Sequence, residues 1–429
     1  MNTLTLHLLP TLRGTIDLPR SKSISNRALL MNAVAAGVGK GWNISGTAVC
    51  DDTDAMQAAL AAREIGGQCT VDVGAAGTAM RFATAFYATQ PGRTLLTGSE
   101  RMKQRPIGPL TDALETLGAR VTFLERKGCP PLLVEGCLPQ GGELTLPADV
   151  SSQFISALLM VAPRFAKGLR LHLAGTILSR PYIDMTCTLM RRFGAAVEWE
   201  DERTIAVAPT PYAPTGCFAV EADWSAASYW FEMAALTPDA EAGVLLKGLQ
   251  QDSLQGDSRV KDLFEPLGVR AEWQADGLLL QKTAVPGNDP AIYEADLATC
   301  PDLAQTVCVA CAMLRRPFRL TGLSTLRIKE TDRLAALQTE LRKLGRSIEI
   351  DGDDTLAYDG NAVPVSPENI IIETYADHRM AMAFAPCALL LPGLRIAAPE
   401  VVGKSYPDFW QHLSAFSNSP LCTFYSPFP

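Results

Sequence analysis

The chain has 429 residues, 47% of them hydrophobic and 20% charged, with a formal net charge of −8. That length allows two or three domains, each with its own core, and the acidic balance excludes general nucleic-acid binding. No apolar run reaches the roughly 18 residues of a membrane span, and eleven scattered cysteines point to reduced thiols in the cytoplasm rather than a disulfide framework.

The first 19 residues, MNTLTLHLLPTLRGTIDLP, lack the basic start and small-residue cleavage site of a secretory leader. From there the chain repeats. An apolar residue followed by Gly ends a helical run at Ile65-Gly66, Leu117-Gly118, Phe193-Gly194, Leu267-Gly268 and Leu344-Gly345. Gly in that place is the signature of a residue just past a helix C-terminus. After four of these marks comes a strand such as AVEWE or SIEID, a polar turn (EDER, QADG, DGDD) and a second strand, which predicts hairpins.

A second feature keeps the same period: a strand runs into a loop of small or polar residues that opens the next helix. Thr78, Ser152, Ala226, Asp302 and His378 mark equivalent points, spaced by 74, 74, 76 and 76 residues, and Lys22-Ser23 begins the series. A third set of loops carries Arg105, Arg180, Asp257, Glu330 and Lys404 at spacings of 75, 77, 73 and 74. Gly66 and Thr78 are only 12 residues apart where the matching intervals are 32 to 34. The second repeat is therefore expected to be trimmed near 67–77, by about one hairpin strand and its connection.

Six strand–helix units, three on each side of a division near Glu221, predict an α/β protein of two similar domains. Residues 20–220 form one. Residues 1–19 with 221–429 form the other, because the strand TLHLLP belongs with the C-terminal half. Loops that open helices would then line an interdomain cleft, where converging helix N-termini favour anions.

The stretch RIKETDR, residues 327–333, precedes the apolar stripe Leu334, Leu337, Leu341 and Leu344. By spacing, Glu330 extends that stripe, with Lys329 and Arg333 beside it at the start of a buried face. Isolated charge there is costly unless paired or bound. Capping explains Ser, Thr and Asp at helix starts, but not Lys22, Arg27, Arg105, Arg180, Arg333, Arg379 and Lys404 at the same places. Several cations imply two or more anionic groups, phosphate or carboxylate. Ser151 and Ser152 beside Gln153, with Ser179 and Lys329, suit a phosphate. Asp302, Glu330 and His378 are the candidates for proton transfer. No phosphate-loop or dinucleotide motif is present, four His include no zinc spacing, and Cys308 with Cys311 sits in an apolar run that suits helix packing. What the residues support is a cofactor-free group transfer between small phosphorylated acids.

In this order, LPRSKSISNRALL, GTAMR, LTGSERMKQRPIG, VSSQF, SRPYID, SLQGD, RIKETDRL, DHRMAM and GKSYPDFW resemble the 5-enolpyruvylshikimate-3-phosphate synthase family, from residue 16 to 410. The resemblance implies two domains of three βαβαββ units each, an inside-out α/β barrel. It implies transfer of the enolpyruvyl group of phosphoenolpyruvate to the 5-hydroxyl of shikimate 3-phosphate, without metal or cofactor, in a cytoplasmic monomer. Carried over, Lys22, Ser23 and Arg27 would meet the shikimate unit, Ser151, Ser152, Ser179 and Lys329 its phosphate, and Gln153 and Tyr182 its ring. Lys22, Gln153, Arg105, Arg333, Arg379 and Lys404, with the backbone at Gly77, would clamp phosphoenolpyruvate. Asp302 would take the 5-hydroxyl proton with help from Lys22, and Glu330, supported by His378, would protonate the methylene carbon.

The sequence departs from the family pattern at Ala75, usually Asn, at Phe82, usually Pro, and at the trimmed repeat. Ala75 and the trimmed repeat motivate one alternative, a homologue that binds shikimate 3-phosphate without turnover. The other is UDP-N-acetylglucosamine enolpyruvyl transfer, which the absence of Cys from SERMKQ disfavours.

Overall fold

The computed structural model describes residues 2–36, 41–62, 69–149, 151–213, 216–284, 292–366, 368 and 370–417. The chain separates into two compact units. One is Met1–Pro19 with Glu221–Pro429, the other Arg20–Val220.

The first unit opens with β1 (Thr3–Leu6) and β2 (Arg13–Asp17). The second unit begins with α1 (Lys22–Ala36), β3 (Asn43–Ser45) and α2 (Asp51–Ala61). It continues through β4 (Cys69–Asp72), α3 (Gly77–Ala88), β5 (Gly92–Thr97), α4 (Gly108–Thr116), β6 (Arg120–Phe123) and β7 (Leu132–Gly136). Then come β8 (Gly142–Pro147), α5 (Ser152–Val161), β9 (Leu169–Ala174), α6 (Arg180–Arg192), β10 (Val197–Trp199), β11 (Thr204–Val207) and β12 (Cys217–Ala219).

Back in the first unit are α7 (Trp224–Leu236), β13 (Gly243–Lys247), α8 (Val260–Phe264), β14 (Val269–Gln274) and β15 (Gly277–Lys282). They are followed by β16 (Tyr293–Asp296), α9 (Ala304–Met313), β17 (Phe318–Thr321), α10 (Arg333–Lys343), β18 (Glu349–Asp351) and β19 (Thr355–Tyr358). The last are β20 (Ile371–Ile372), α11 (His378–Phe384), β21 (Leu394–Ala397) and α12 (Phe409–Ser414).

One plan recurs in the sheets. In β4-β5-β7-β6 the entry strand β4 runs parallel to β5, and the hairpin β6–β7 then lies antiparallel on β5. The sheets β8-β9-β11-β10, β2-β13-β15-β14 and β16-β17-β19-β18 repeat it. In β4–β5, β8–β9 and β16–β17 the parallel pair is joined by a helix, the kind of crossover that parallel strands require. Chain crossings complete the rest: β2 is the entry strand beside β13, and β1 lies antiparallel on β21 in the sheet β20-β21-β1. Leu4 and Leu6 of β1 point inward by the two-residue period of a strand.

The sixth sheet has only β12 parallel to β3. Among the described residues neither strand of a hairpin follows α2, because β4, starting at Cys69, already pairs parallel with β5 as the entry strand of the next repeat. The mark at Ile65-Gly66 lies outside the described residues. The other four glycine marks, Gly118, Gly194, Gly268 and Gly345, all have positive φ, as a helix-terminating glycine requires.

Helices lie inside and sheets outside. Every residue of α7, α9 and α11 is buried, and these three helices pack on one another in the first unit. A helix apolar on all sides is stable only in such a core. Ala, Ser, Thr and Cys on these helices leave room for close approach, while Trp230 and Phe231 supply large buried area, each contributing about 1.5–3 kcal/mol. Cys308 and Cys311 are fully buried in α9, in line with packing. No helix is long and apolar enough to cross a membrane among the described residues.

Candidate active site

In the second unit, loops at the starts of α1, α3, α5 and α6 carry the polar side chains. Lys22 is the first residue of α1, and its Nζ lies 2.7 Å from Oδ2 of Asp52, on α2. One turn later Arg27 is buried. Its Nε donates to Thr186 Oγ1 (2.8 Å), Nη1 to the Ser23 carbonyl (2.9 Å) and Nη2 to Ser156 Oγ (3.3 Å). The guanidinium also lies over the rings of Phe82 and Tyr182, at 5.6 and 5.9 Å. All of these partners are uncharged. Burial lowers the Arg27 pKa to about 10, the response of a cation with no carboxylate to offset its desolvation. Such a group is prepared for an incoming anion.

Ser151 caps α5, its hydroxyl accepting from the Gln153 backbone N–H at 3.3 Å, and Ser152 begins that helix. The Gln153 amide donates to Thr78 Oγ1 at 3.0 Å, which ties α5 to the start of α3. Ser179, just before α6, is held at φ 53° and ψ 42°, a left-handed conformation that L residues rarely adopt. Its carbonyl accepts from the Tyr182 N–H, and the Tyr182 carbonyl in turn accepts from Arg27. Ser151, Ser152, Ser179, Tyr182 and Arg27 thus share the meeting point of α1, α5 and α6.

Gly77 opens α3 against Arg105. A Cβ at residue 77 would lie 2.5 Å from Arg105 Nη1 and 2.8 Å from Nη2, so only glycine lets the guanidinium rest there. Arg105 Nε is buried with no hydrogen-bond partner among the described residues. Arg81, not singled out from the sequence, braces this pair by donating to the carbonyls of Gly77 (3.2 Å) and Pro106 (2.7 Å). Phe82 leaves α3 unbroken and is fully buried, so it serves as the floor under Arg27. Arg180 is not brought to this set: it stacks on Trp199 at 4.3 Å and pairs with Asp184.

In the first unit the candidate acids and cations form one cluster. Asp302 Oδ1 lies 3.1 Å from Arg333 Nη1 and 3.9 Å from Lys329 Nζ, while Oδ2 lies 3.0 Å from Arg379 Nη2. Glu330 pairs with Arg333 at 3.1 Å and with Lys404 at 3.8 Å. Burial would raise the Asp302 carboxyl, but Arg379, Lys329 and Arg333 together hold it well below the usual carboxylate range. Burial lowers Arg333 in turn, and Asp377, Glu330 and Asp302 more than reverse this.

One expectation needs correcting here. Glu330 does not lie on the α10 stripe. Asp332 caps α10 by accepting from the N–H groups of Leu334 and Ala335, so the helix starts at Arg333 and Glu330 with Lys329 sit in the preceding loop. The stripe itself, Leu334, Leu337, Leu341 and Leu344, is fully buried.

Asp377 escaped the sequence reading. It is completely buried, caps α11 by accepting from Arg379 N–H at 2.9 Å, and takes Arg333 on both oxygens, at 2.7 and 3.3 Å. His378 Nδ1 lies 3.7 Å from the same carboxylate. The signal available was its place directly before His378, at the capping position of a helix start. Asp52 and Ser225, in the first turns of α2 and α7, were missed as well. Among the described residues no three His, Cys, Asp or Glu side chains are grouped as metal ligands.

The arrangement can bind anions in each unit and, through Asp302 and Glu330, move protons in the first. The chain matches the family model for EPSP synthase (3-phosphoshikimate 1-carboxyvinyltransferase) over residues 61–413. It is 48% identical over 404 residues to a 3-phosphoshikimate 1-carboxyvinyltransferase from Bacteroides fragilis, covering 94% of this chain and 95% of that one. A relative of the same name from Shewanella halifaxensis is 35% identical over 441 residues, covering 97% and 100%. An EPSP synthase structure from Acinetobacter baumannii superposes with a TM-score of 0.73 at 20% identity, over 97% of this chain and 98% of that one. The enolpyruvyl transferase NikO from Streptomyces tendae gives 0.70 at 16%, over 96% and 97%, a likeness of fold. The chain belongs to the EPSP synthase (3-phosphoshikimate 1-carboxyvinyltransferase) family.

Proposed function

We infer that the protein transfers the enolpyruvyl group of phosphoenolpyruvate to the 5-hydroxyl of shikimate 3-phosphate and releases phosphate. The observation that carries this reading is the cluster in which Arg333, Arg379 and Lys404 hold two buried or half-buried carboxylates, Asp302 and Glu330, in a chain of this family. Arg27, with its uncharged partners, suits the shikimate carboxylate. Ser151, Ser152, Ser179 and Lys329 suit its phosphate, with Ser23, Gln153 and Tyr182 at the ring. Lys22, Gln153, Arg105, Arg333, Arg379, Lys404 and the Gly77 backbone suit phosphoenolpyruvate.

The chemistry is addition followed by elimination. The 5-hydroxyl oxygen bonds to C2 of phosphoenolpyruvate as its proton passes to Asp302, with Lys22 assisting. Glu330 gives a proton to C3, so the methylene becomes a methyl and C2 becomes tetrahedral. His378 supports Glu330 from α11. A methyl proton then returns to Glu330, phosphate leaves C2 with the proton held by Asp302, and the double bond re-forms. Cations fixed around the anions stabilise the charge that develops on the way.

Asp302 is a weak base while three cations face it. Substrate anions on Arg379, Arg333 and Lys329 offset that field and raise its basicity, which couples proton acceptance to a filled site. Ten free cysteines among the described residues, most of them buried, fit action in the cytoplasm. We also take the working form to be a monomer.

The test is phosphate release from phosphoenolpyruvate with shikimate 3-phosphate or UDP-N-acetylglucosamine as acceptor, with Glu330→Gln as control. Release only with shikimate 3-phosphate, lost in the control, is expected. Folded protein that binds both ligands and releases no phosphate overturns the reading in favour of a binding-only homologue.

A further inference from the structure

Asp257 lies in the third set of recurring loops, and the mechanism above does not use it. It is almost completely buried in the turn Gly256–Arg259, at the start of the segment leading to α8. Its Oδ2 accepts from the hydroxyl of Ser225, itself buried at the start of α7. Ser225 Oγ accepts from Arg379 Nη2 at 3.3 Å, and the same Nη2 lies 3.0 Å from Asp302 Oδ2. A directed relay therefore runs from Arg379 through Ser225 to Asp257. The other oxygen, Oδ1, is buried with no hydrogen-bond partner among the described residues.

The backbone around the relay is fastened on both sides. Gln255 donates from Nε2 to the Ala222 carbonyl (2.8 Å) and accepts at Oε1 from the Trp224 N–H (3.1 Å). Its own N–H donates to Ser253 Oγ, whose hydroxyl donates to Glu221. Asp223 accepts from the Ser225 N–H at 2.8 Å. A turn so closely stitched does not need a carboxyl pointed inward with one oxygen unpartnered. Burial of that kind costs free energy and has to be retained for something else.

We propose that Asp257 is a positioning residue for the transfer reaction: through Ser225 it fixes the guanidinium of Arg379, and so the anion that Arg379 holds. This rests on the function proposed above and assigns the residue behind one of its cations. The charged and titratable groups facing Asp257 are Asp302 and Arg379, then Asp223, with Cys300 close by. Burial, and then Asp302, push its carboxyl up to about 7, with Arg379 and Ser225 opposing. Below that pH Asp257 is neutral. Above it a second negative charge stands beside Asp302, which weakens an anion on Arg379. The relay thus favours phosphoenolpyruvate most when Asp257 carries its proton.

The experiment compares Asp257→Ala, Asp257→Asn and Ser225→Ala with the wild-type chain, reading phosphate release at varied concentrations of each substrate between about pH 6 and 9. For Asp257→Ala and Ser225→Ala the KM for phosphoenolpyruvate is expected to rise about tenfold, with the KM for shikimate 3-phosphate within about twofold. Asp257→Asn, which still offers Ser225 an acceptor, is expected to recover most of that loss. It is also expected to remove the fall in kcat/KM for phosphoenolpyruvate as pH rises through about 7. Equal changes in both KM values, together with a lowered Tm, would mean a structural role only and overturn the proposal. So would an Asn variant no better than Ala, or an unaltered pH profile. A wild-type chain without turnover sinks the functional reading instead. The same comparison then runs on phosphoenolpyruvate binding by calorimetry with shikimate 3-phosphate present, where the same selective loss is expected and its absence overturns the role of Asp257.

Discussion

Arg333 and Asp377 meet in a two-point contact, Nε to Oδ2 at 2.7 Å and Nη2 to Oδ1 at 3.3 Å, with both side chains out of solvent. Asp302 and Glu330 take Arg333 on its remaining edge, so one guanidinium gathers three carboxylates from three segments. Removing a single partner of a buried pair leaves an uncompensated charge and costs about 3–5 kcal/mol. Asp377→Ala is therefore expected to lower stability by about that amount and to abolish turnover, because Arg333 and the start of α11 both lose their anchor. Urea unfolding and phosphate release check it. A variant with wild-type stability and activity would show that Asp302 and Glu330 suffice to hold Arg333.

The close approach of Gly77 to Arg105 gives a second expectation. A methyl group at residue 77 would sit at 2.5 Å from Nη1, a distance that Cβ contacts do not tolerate. The flexible guanidinium has to move rather than the helix, since Arg81 pins the Gly77 carbonyl. Gly77→Ala is expected to fold with Tm close to wild type and to raise the KM for phosphoenolpyruvate by about tenfold or more, a displaced cation being worth that much. Steady-state kinetics with each substrate varied in turn decide it. An equal rise in the KM for shikimate 3-phosphate would place Arg105 with the other substrate.

Arg27 differs from the cations of the first unit in having hydroxyls, carbonyls and two aromatic faces as partners in place of carboxylates. A lysine at that position keeps a charge but cannot donate in three directions or lie flat over Phe82. Arg27→Lys is expected to raise the KM for shikimate 3-phosphate about tenfold to a hundredfold and to leave that for phosphoenolpyruvate within about threefold. Isothermal titration with shikimate 3-phosphate alone gives the same answer without turnover. Unchanged affinity would remove Arg27 from the list of anion-binding groups.

The fold was legible because its signals are local and repeated. Gly118, Gly194, Gly268 and Gly345 each need a positive φ, and a helix end followed by a hairpin announces itself wherever that glycine stands. That no hairpin follows α2 among the described residues could be anticipated only as a short interval, since spacing does not say which strand pairs with which. The site was legible as a set of unusual cations at helix starts, for the same reason of period. Their partners were not. Asp377 is ordinary as a cap, and Asp52 and Ser225 are ordinary in the first turns of α2 and α7; only three-dimensional pairing distinguishes Asp377 under Arg333 from a capping aspartate in water. Glu330 shows the opposite error. A charge on the right heptad phase reads as part of the helix until the Asp332 cap, also in plain sight, is allowed to end it.

Asp302 supplies a pH-dependent prediction. Its folded-state pKa is depressed: burial acts against ionisation, and Arg379, Lys329 and Arg333 outweigh it. In the unfolded chain the group titrates near the ordinary value of about 3.9. A depressed carboxyl adds stability that is fully present above the unfolded pKa and is lost as pH falls below it toward the folded one. Asp302→Asn removes the charge, so the stability gap between wild type and variant is expected to be widest near neutral pH, about 2–4 kcal/mol for three disrupted buried pairs, and to narrow below about pH 4. Urea midpoints taken from about pH 3 to 7 follow the gap. A gap of the same size at both ends would mean that the carboxyl gains nothing from its three cations in the folded chain, and with that the electrostatic brake on its basicity in the empty site would fall as well.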